Sequence, residues 1–148
     1  MYEPLRPVLM IEDSPEDFET ASRALRQAGL VCPLYHFTDG DEALDYLHQR
    51  GTYADPTNSP RPSLVLLDLN LPGTDGREIL AEIKGDEHLR AIPVVVLTTS
   101  SDDRDIERCY RSGVNSYLRK PVDLRGYLKS IERLKEYWFD IVLLPEGE

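Results

Sequence analysis

The sequence lacks several features that would indicate other classes of protein. Two of its 148 residues are cysteines, and Cys32 and Cys109 lie too far apart for a paired-cysteine zinc motif or a disulfide framework. Aspartate and glutamate (27) outnumber lysine and arginine (17), and the net charge of −10 argues against a face that binds nucleic acid. No apolar run approaches the roughly 20 residues of a membrane span, and the amino terminus lacks the pattern of a signal peptide. These absences predict a cytoplasmic globular protein that binds neither nucleic acid nor membranes.

Four short runs of mainly apolar residues each lead into polar residues of the kind that phosphoryl transfer uses. The runs and the residues that follow them are 8–11 with Glu12 and Asp13, 64–67 with Asp68, 94–97 with Thr98, and 117–119 with Lys120. Short apolar runs of this kind are typical of strands buried on both faces of a parallel sheet. Helical patterns separate them, so we expect the strands side by side, with their carboxyl ends on the edge where open α/β sheets place sites. The sequence therefore predicts that three carboxylates, a hydroxyl and a lysine meet at one place.

The remaining pattern completes an α/β fold, (βα)₅, with a doubly wound, five-stranded parallel sheet. Ser14 can cap the first helix and Gly29 can end it. Residues 51–62 contain three prolines and a glycine, which predicts a long loop. Further elements are expected at these approximate positions: strands at 34–37 and 116–119, and helices at 41–50, from 77 to 85, from 102 to 112 and at 124–138. We expect a single domain over 1–148, with its core at about 6–138, an apolar extension at 139–148 and no output domain.

The predicted edge is strongly acidic. Glu12, Asp13 and Asp68 would bring three negative charges together, and two charges about 4 Å apart repel by on the order of 4 kcal/mol at an effective dielectric of about 20. A divalent cation would remove that repulsion, and hard oxygen ligands suit Mg²⁺. The competing interpretation is that Asp13 and Asp68 only cap the turns after their strands. We disfavour it because Glu12 and Lys120 belong to the same pattern.

The ordered set of motifs resembles the receiver domain of response regulators. The set is the acidic pair after the first strand, Asp68 after the third, Thr98 after the fourth and Lys120-Pro121 after the fifth, and the resemblance covers essentially the whole chain. It implies a CheY-like, flavodoxin-type fold and a phosphoacceptor signalling protein rather than an enzyme. Asp68 would be the phosphoacceptor, with its carboxylate attacking phosphorus to form an acyl phosphate. Lys120 would neutralise charge on the phosphoryl oxygens.

The resemblance also implies what surrounds Asp68. Glu12, Asp13, Asp68 and the backbone carbonyl of Asn70 would hold Mg²⁺. The bond between Lys120 and Pro121 would be cis, which would aim the ammonium group inward.

Thr98 and Tyr117 stand at the switch positions of the receiver pattern. The Thr98 hydroxyl would donate to a phosphoryl oxygen on Asp68, and the Tyr117 ring would move inward with it. Other interpretations stay open at this point: a β-branched strand terminus for Thr98, and a half-buried strand tyrosine for Tyr117.

A narrower resemblance is to the single-domain regulators that pair with bacterial phytochrome histidine kinases. It rests on residues 51–62, 75–78, 96–100 and 141–145 together with Trp138, and it implies a phytochrome-type histidine kinase as partner.

The end of the chain is apolar in an otherwise acidic protein. The strip either folds back on its own domain or covers a partner, since apolar patches of this kind mark interfaces. We predict a homodimer through the last two helices, the fifth strand and the tail, with Tyr110, Tyr127, Trp138, Leu143 and Leu144 as interface residues.

Two other classes of function compete with the receiver. A haloacid-dehalogenase-type, Mg²⁺-dependent phosphatase needs a second aspartate two residues after its nucleophile, where Asn70 stands, and it places the nucleophile after the first strand. A flavodoxin-like electron carrier needs a phosphate-binding loop after that strand, where residues 12–17 are acidic.

Overall fold

The computed structural model describes residues 6–145, which form a five-stranded parallel sheet with helices on both faces. The strands are β1 (Val8–Ile11), β2 (Leu34–Phe37), β3 (Leu64–Leu67), β4 (Val94–Thr98) and β5 (Ser116–Arg119). Their order in the sheet is β2-β1-β3-β4-β5. The predicted doubly wound fold is confirmed. Positions 1–5, on which the signal-peptide prediction rests, and the last three positions of the predicted tail lie outside the described residues.

Five α-helices connect and follow the strands. They are α1 (Pro15–Gln27), α2 (Gly40–His48), α3 (Gly76–Gly85), α4 (Asp103–Ser112) and α5 (Leu124–Lys135). Ser14 caps α1 by accepting a hydrogen bond from the Asp17 amide at 3.2 Å, and Gly29, with φ of +101°, turns the chain after it. Aspartates cap the other four helices: Asp39, Asp75, Asp102 and Asp123.

The central strands are buried on both faces, as the apolar runs predict. One set of side chains, such as Leu9 and Val65, packs with helices α2, α3 and α4, and the alternate set, such as Met10 and Leu66, packs with α1 and α5. Because successive side chains of a strand point to opposite faces, each central strand contributes to both halves of the core.

The long connection before β3 is held by hydrogen bonds rather than by regular structure. It contains a short 3₁₀ turn, Gly51–Tyr53. The Tyr46 hydroxyl donates to the Pro60 carbonyl at 2.6 Å, and the Ser59 hydroxyl donates to the Tyr53 carbonyl at 2.8 Å. The first contact fastens the loop to α2, and the second closes the loop on its own 3₁₀ turn.

The chain after α5 continues as a π-helical segment, Glu136–Ile141, which folds back in part on the domain. Phe139, Val142 and Leu144 pack against the α1–α5 half of the core, whereas Leu143 is 95% exposed and Ile141 is 62% exposed. Part of the tail therefore folds back on its own domain, and it stays a prediction that the exposed part covers a partner.

Two of the predicted interface residues are core residues instead. Tyr127 and Trp138 are buried, and both belong to the α1–α5 half of the core. The Tyr127 hydroxyl donates to the Asp17 carbonyl at 3.3 Å, which joins α5 to α1. The prediction that these residues are interface anchors is therefore wrong: their helical spacing marks an apolar face, and α5 with the π-helical segment after it turns that face towards the protein's own sheet. Tyr110 and Leu143 are exposed, as that prediction requires.

Within the described part of the chain, no helix is both long enough and apolar enough to cross a membrane.

Candidate functional site

The sheet register brings the predicted site residues to one edge. Ile11 pairs with Leu67 between β1 and β3, so Glu12 and Asp68, the next residues of their chains, leave the sheet side by side. One carboxylate oxygen from each of Glu12, Asp13 and Asp68 lies within 4.8 Å of the others. The backbone amide of Lys120 donates to the Thr98 carbonyl at 2.6 Å, which fixes the ends of β4 and β5 relative to each other.

Lys120 is buried at the centre of the acidic cluster. Its Nζ donates to Glu12, to Asp68 Oδ2 at 3.3 Å and to Asp17 Oδ2 at 2.9 Å. The sequence predicts the contact with Asp68 but not the one with Asp17. In the sequence, Asp17 is an acidic residue in the first helical turn that favours the helix dipole, and its contact with Lys120 follows only from how α1 packs against α5.

The peptide bond before Pro121 is trans. No cis peptide bond occurs among residues 6–145, so the prediction of a cis bond at this position is wrong. The four-carbon side chain of Lys120 is long enough to reach the acidic cluster from a trans backbone. The ammonium group therefore reaches its place while the bond before Pro121 keeps the trans form that X–Pro bonds ordinarily prefer.

Burial and neighbouring charges shift the pKa values of Glu12 and Lys120. Burial raises the pKa of Glu12 to about 7, and the neighbouring Asp68 charge adds to that effect, while the hydrogen bond from Lys120 opposes it. Burial alone would lower the pKa of Lys120, but the hydrogen bond to Glu12 and the charge of Asp68 outweigh it and hold that pKa above its ordinary value. Lys120 therefore keeps its positive charge at neutral pH.

The three carboxylates fit a divalent cation. Glu12 and Asp68 are buried and hold their oxygens in place, while Asp13 is exposed and leaves one side of the cluster open to solvent. Oxygen ligands on one side, with room for water on the other, suit a hard ion such as Mg²⁺. Near them, the Asn70 amide makes a weak hydrogen bond to Asp68 Oδ1 at 3.3 Å. The role of the Asn70 carbonyl as a ligand stays a prediction.

The two predicted switch residues are linked through one loop residue. Thr98 is fully buried, and its Oγ1 accepts from the Ser100 amide at 3.4 Å. Tyr117 packs against the α2–α3–α4 half of the core, and its hydroxyl donates to the Ser100 carbonyl at 3.0 Å. Both contacts are to Ser100, so a displacement of the β4–α4 loop would be felt by both residues.

The parallel sheet, the acidic edge and the central lysine define the receiver class of signalling protein. The chain belongs to the response regulator receiver domain family, which matches residues 8–132. It is 42% identical over 142 residues to the response regulator Rcp1 of Synechocystis sp., and the match spans 96% of this chain and 95% of Rcp1.

Two solved structures of similar proteins superpose closely. The Mn²⁺-bound form of Rcp1 has a TM-score of 0.90 at 42% identity, covering 95% of this chain and 99% of that one. The phosphorylated cyanobacterial phytochrome response regulator RcpA also has a TM-score of 0.90, at 40% identity and with the same coverage of the two chains. The chain is therefore a two-component response regulator similar to phytochrome response regulators, and not a classical enzyme. Family membership thus decides against the phosphatase and electron-carrier alternatives.

Proposed function

We propose that the chain acts in the cytoplasm and accepts a phosphoryl group on Asp68, in a Mg²⁺-dependent reaction, from a histidine kinase of the phytochrome type. The observation that carries this proposal is the position of the Asp68 carboxylate. It lies within 4.8 Å of the Glu12 and Asp13 carboxylates, with the Lys120 ammonium 3.3 Å from its Oδ2. Nucleophile, metal ligands and a fixed positive charge therefore stand together at one sheet edge.

The chain's own residues account for most of the chemistry of the transfer. The Asp68 carboxylate attacks phosphorus, and the bond to the leaving group breaks on the opposite side, with its electron pair going to the leaving group. Lys120, already charged and buried, stabilises the negative charge of the phosphoryl oxygens without having to be ordered first. The Thr98 hydroxyl can accept from Ser100 and still donate its own proton to one of those oxygens. When bound, Mg²⁺ would neutralise the remaining negative charge of the site.

The phosphoryl group would act on the rest of the molecule through Thr98 and Tyr117. A hydrogen bond from Thr98 to the phosphoryl group favours one arrangement of the β4–α4 loop, and Tyr117 is bonded to the same loop. Phosphorylation would then shift an equilibrium between two arrangements of this face, which comprises α4, β5 and α5.

The proposal of a phytochrome-type partner rests on similarity over nearly the full length. Identities of 40–42% to Rcp1 and RcpA extend over 95–96% of the chain, beyond the residues that all receivers need for the reaction itself.

We further propose that two copies of the chain associate through the face formed by α4, β5, α5 and the tail. Its largely exposed apolar side chains include Tyr110 at 52%, Ile141 at 62% and Leu143 at 95%. β5 is an edge strand, and a groove of about 300 Å³ lined by Leu118, Leu134 and others lies between it and α5. A self-complementary patch of this kind favours a C₂ dimer.

Incubation with acetyl phosphate and Mg²⁺ tests the phosphoacceptor proposal. The intact mass of the wild-type protein should increase by one phosphoryl group, and chelation of Mg²⁺ should prevent the increase. Asp68→Asn should remain unlabelled, while Asp103→Asn, at an exposed position in the first turn of α4 and outside the acidic cluster, should be labelled like wild type. Equal labelling of wild type and Asp68→Asn would contradict the proposal.

A further inference from the structure

Arg77 in the first turn of α3 and Asp105 in the first turn of α4 form a two-pronged ion pair. Arg77 Nε donates to Asp105 Oδ1 at 2.7 Å, and Nη2 donates to Oδ2 at 2.8 Å. Both side chains are largely covered, with 18% and 20% of their surface exposed. The hydrogen bonds from Arg77 lower the pKa of Asp105 to about 2, so the pair is charged at neutral pH. Two parallel bonds fix the relative orientation of the partners as well as their distance.

On one side, this pair is attached to the loop that carries Asp68. Gly76, next to Arg77, donates its amide to the Leu69 carbonyl at 3.0 Å, and it lies so close that an added Cβ would stand 2.2 Å from the Asp68 carbonyl oxygen. Arg77 Nη1 also donates to the carboxylate of Asp75, the α3 cap, at 3.1 Å. The first turn of α3 is therefore in direct contact with the backbone of Asp68.

On the other side, the ion pair is attached to the β4–α4 loop, which contains Ser100. The Ser100 hydroxyl donates to Asp105 Oδ2 at 2.7 Å. The amide of the same serine bonds to Thr98 Oγ1, and its carbonyl accepts from the Tyr117 hydroxyl. Each polar group of Ser100 thus has a partner: its hydroxyl donates to Asp105 and also accepts a longer hydrogen bond from the Asp102 amide at 3.3 Å.

We propose that Arg77 and Asp105 are positioning residues for phosphoryl binding, which hold Ser100, and through it the hydroxyl of Thr98, at a fixed place relative to Asp68. This inference rests on the proposed function of Asp68. Neither residue touches the reacting atoms, and their effect passes through Ser100. Without the pair, the segment after β4 has more conformations available, and ordering it on phosphoryl binding costs conformational entropy. The affinity of the site for a phosphoryl group falls accordingly.

The variant Asp105→Asn tests the proposal, because it keeps the shape of the side chain and removes the negative charge that accepts the two hydrogen bonds from Arg77. Asp103→Asn is the matched control: it makes the same change at an exposed position in the same first turn of α4. Arg77→Lys keeps the positive charge but cannot form the two parallel hydrogen bonds to Asp105. The probe is beryllofluoride, a phosphoryl mimic, in the presence of Mg²⁺, with affinity measured by titration calorimetry. Amide hydrogen exchange at Ser100 is measured in parallel without beryllofluoride.

We expect Asp105→Asn and Arg77→Lys each to weaken beryllofluoride binding about tenfold and to speed exchange of the Ser100 amide, while Asp103→Asn matches wild type in both. The double variant should bind no more weakly than the weaker single one, since both changes act through the same serine. Unchanged affinity in both single variants, with binding by wild type intact, would overturn this inference alone and leave the pair as a structural brace. A wild-type protein that does not bind beryllofluoride would overturn the proposed function, and this inference with it.

Discussion

Replacing Gly76 with alanine is expected to damage both the fold and the site, because of what the new methyl group would meet. An ideal Cβ at this position lies 2.2 Å from the Asp68 carbonyl oxygen and 2.6 Å from the Leu69 Cα, whereas ordinary van der Waals contacts begin at 3.4 Å. The obstacles are backbone atoms of a buried loop, so no side chain can rotate away. The first turn of α3 must move by about 1 Å, and overpacking of this kind costs about 1–3 kcal/mol.

The matched control is Gly85→Ala at the other end of the same helix. Nothing lies within 4 Å of an added Cβ there. Alanine is the better helix former by up to about 1 kcal/mol, so this variant should be as stable as wild type or more so. The same substitution at the two ends of one helix is thus expected to change the free energy of unfolding in opposite directions. This contrast separates the clash from a general effect of replacing a glycine.

Urea unfolding measures the stability of both variants, and labelling by acetyl phosphate measures the site. We expect Gly76→Ala to lose about 3 kcal/mol of unfolding free energy. Under conditions in which the variant is fully folded, it should still be labelled more slowly than wild type. Equal stability of Gly76→Ala and Gly85→Ala would refute the close approach of α3 to the Asp68 backbone.

Three further outcomes follow from individual contacts. Lys120→Met removes the cation from among buried carboxylates, so its initial rate of labelling by acetyl phosphate should fall at least tenfold, whereas Lys129→Met, at an exposed position on α5, should keep the wild-type rate. Asp105 has a pKa of about 2 in the folded protein against an ordinary 3.8, so its contribution is complete above about pH 4 and is lost as the pH falls towards 2. The free energy of unfolding from urea titrations should therefore decline less steeply over this range in Asp105→Asn than in wild type, by up to about 2 kcal/mol, and parallel curves would contradict the ion pair. Leu143→Glu should weaken self-association in sedimentation at least tenfold, and Val122→Glu, at an equally exposed apolar position, should not; a wild-type monomer at all concentrations would refute the dimer.

The sequence is sufficient to predict the sheet and to bring Asp68 and Lys120 to one edge of it. Strand ends carry their following residues to a known edge, so Asp68 and Lys120 could be placed together although 52 residues separate them. The five alternations of strand and helix follow from apolar periodicity and from caps such as Ser14, which act locally.

What the sequence does not predict depends on how the helices pack. Spacing along α5 and the segment after it groups Tyr127 and Trp138 on an apolar face, but it does not show that this face meets the protein's own sheet rather than a second copy. The fork between Arg77 and Asp105 joins residues 28 positions apart on two helices, and no local pattern marks it.

The central claim is that Asp68 itself carries the phosphoryl group, and identification of the modified residue tests it most directly. The protein is labelled with acetyl phosphate and Mg²⁺, the acyl phosphate is reduced with borohydride so that the modified aspartate becomes homoserine, and the peptides are sequenced by mass spectrometry. We predict homoserine at position 68 and unmodified aspartate at position 13. Homoserine at position 13, or a labelled protein in which Asp68 is unchanged, would contradict this account of the site.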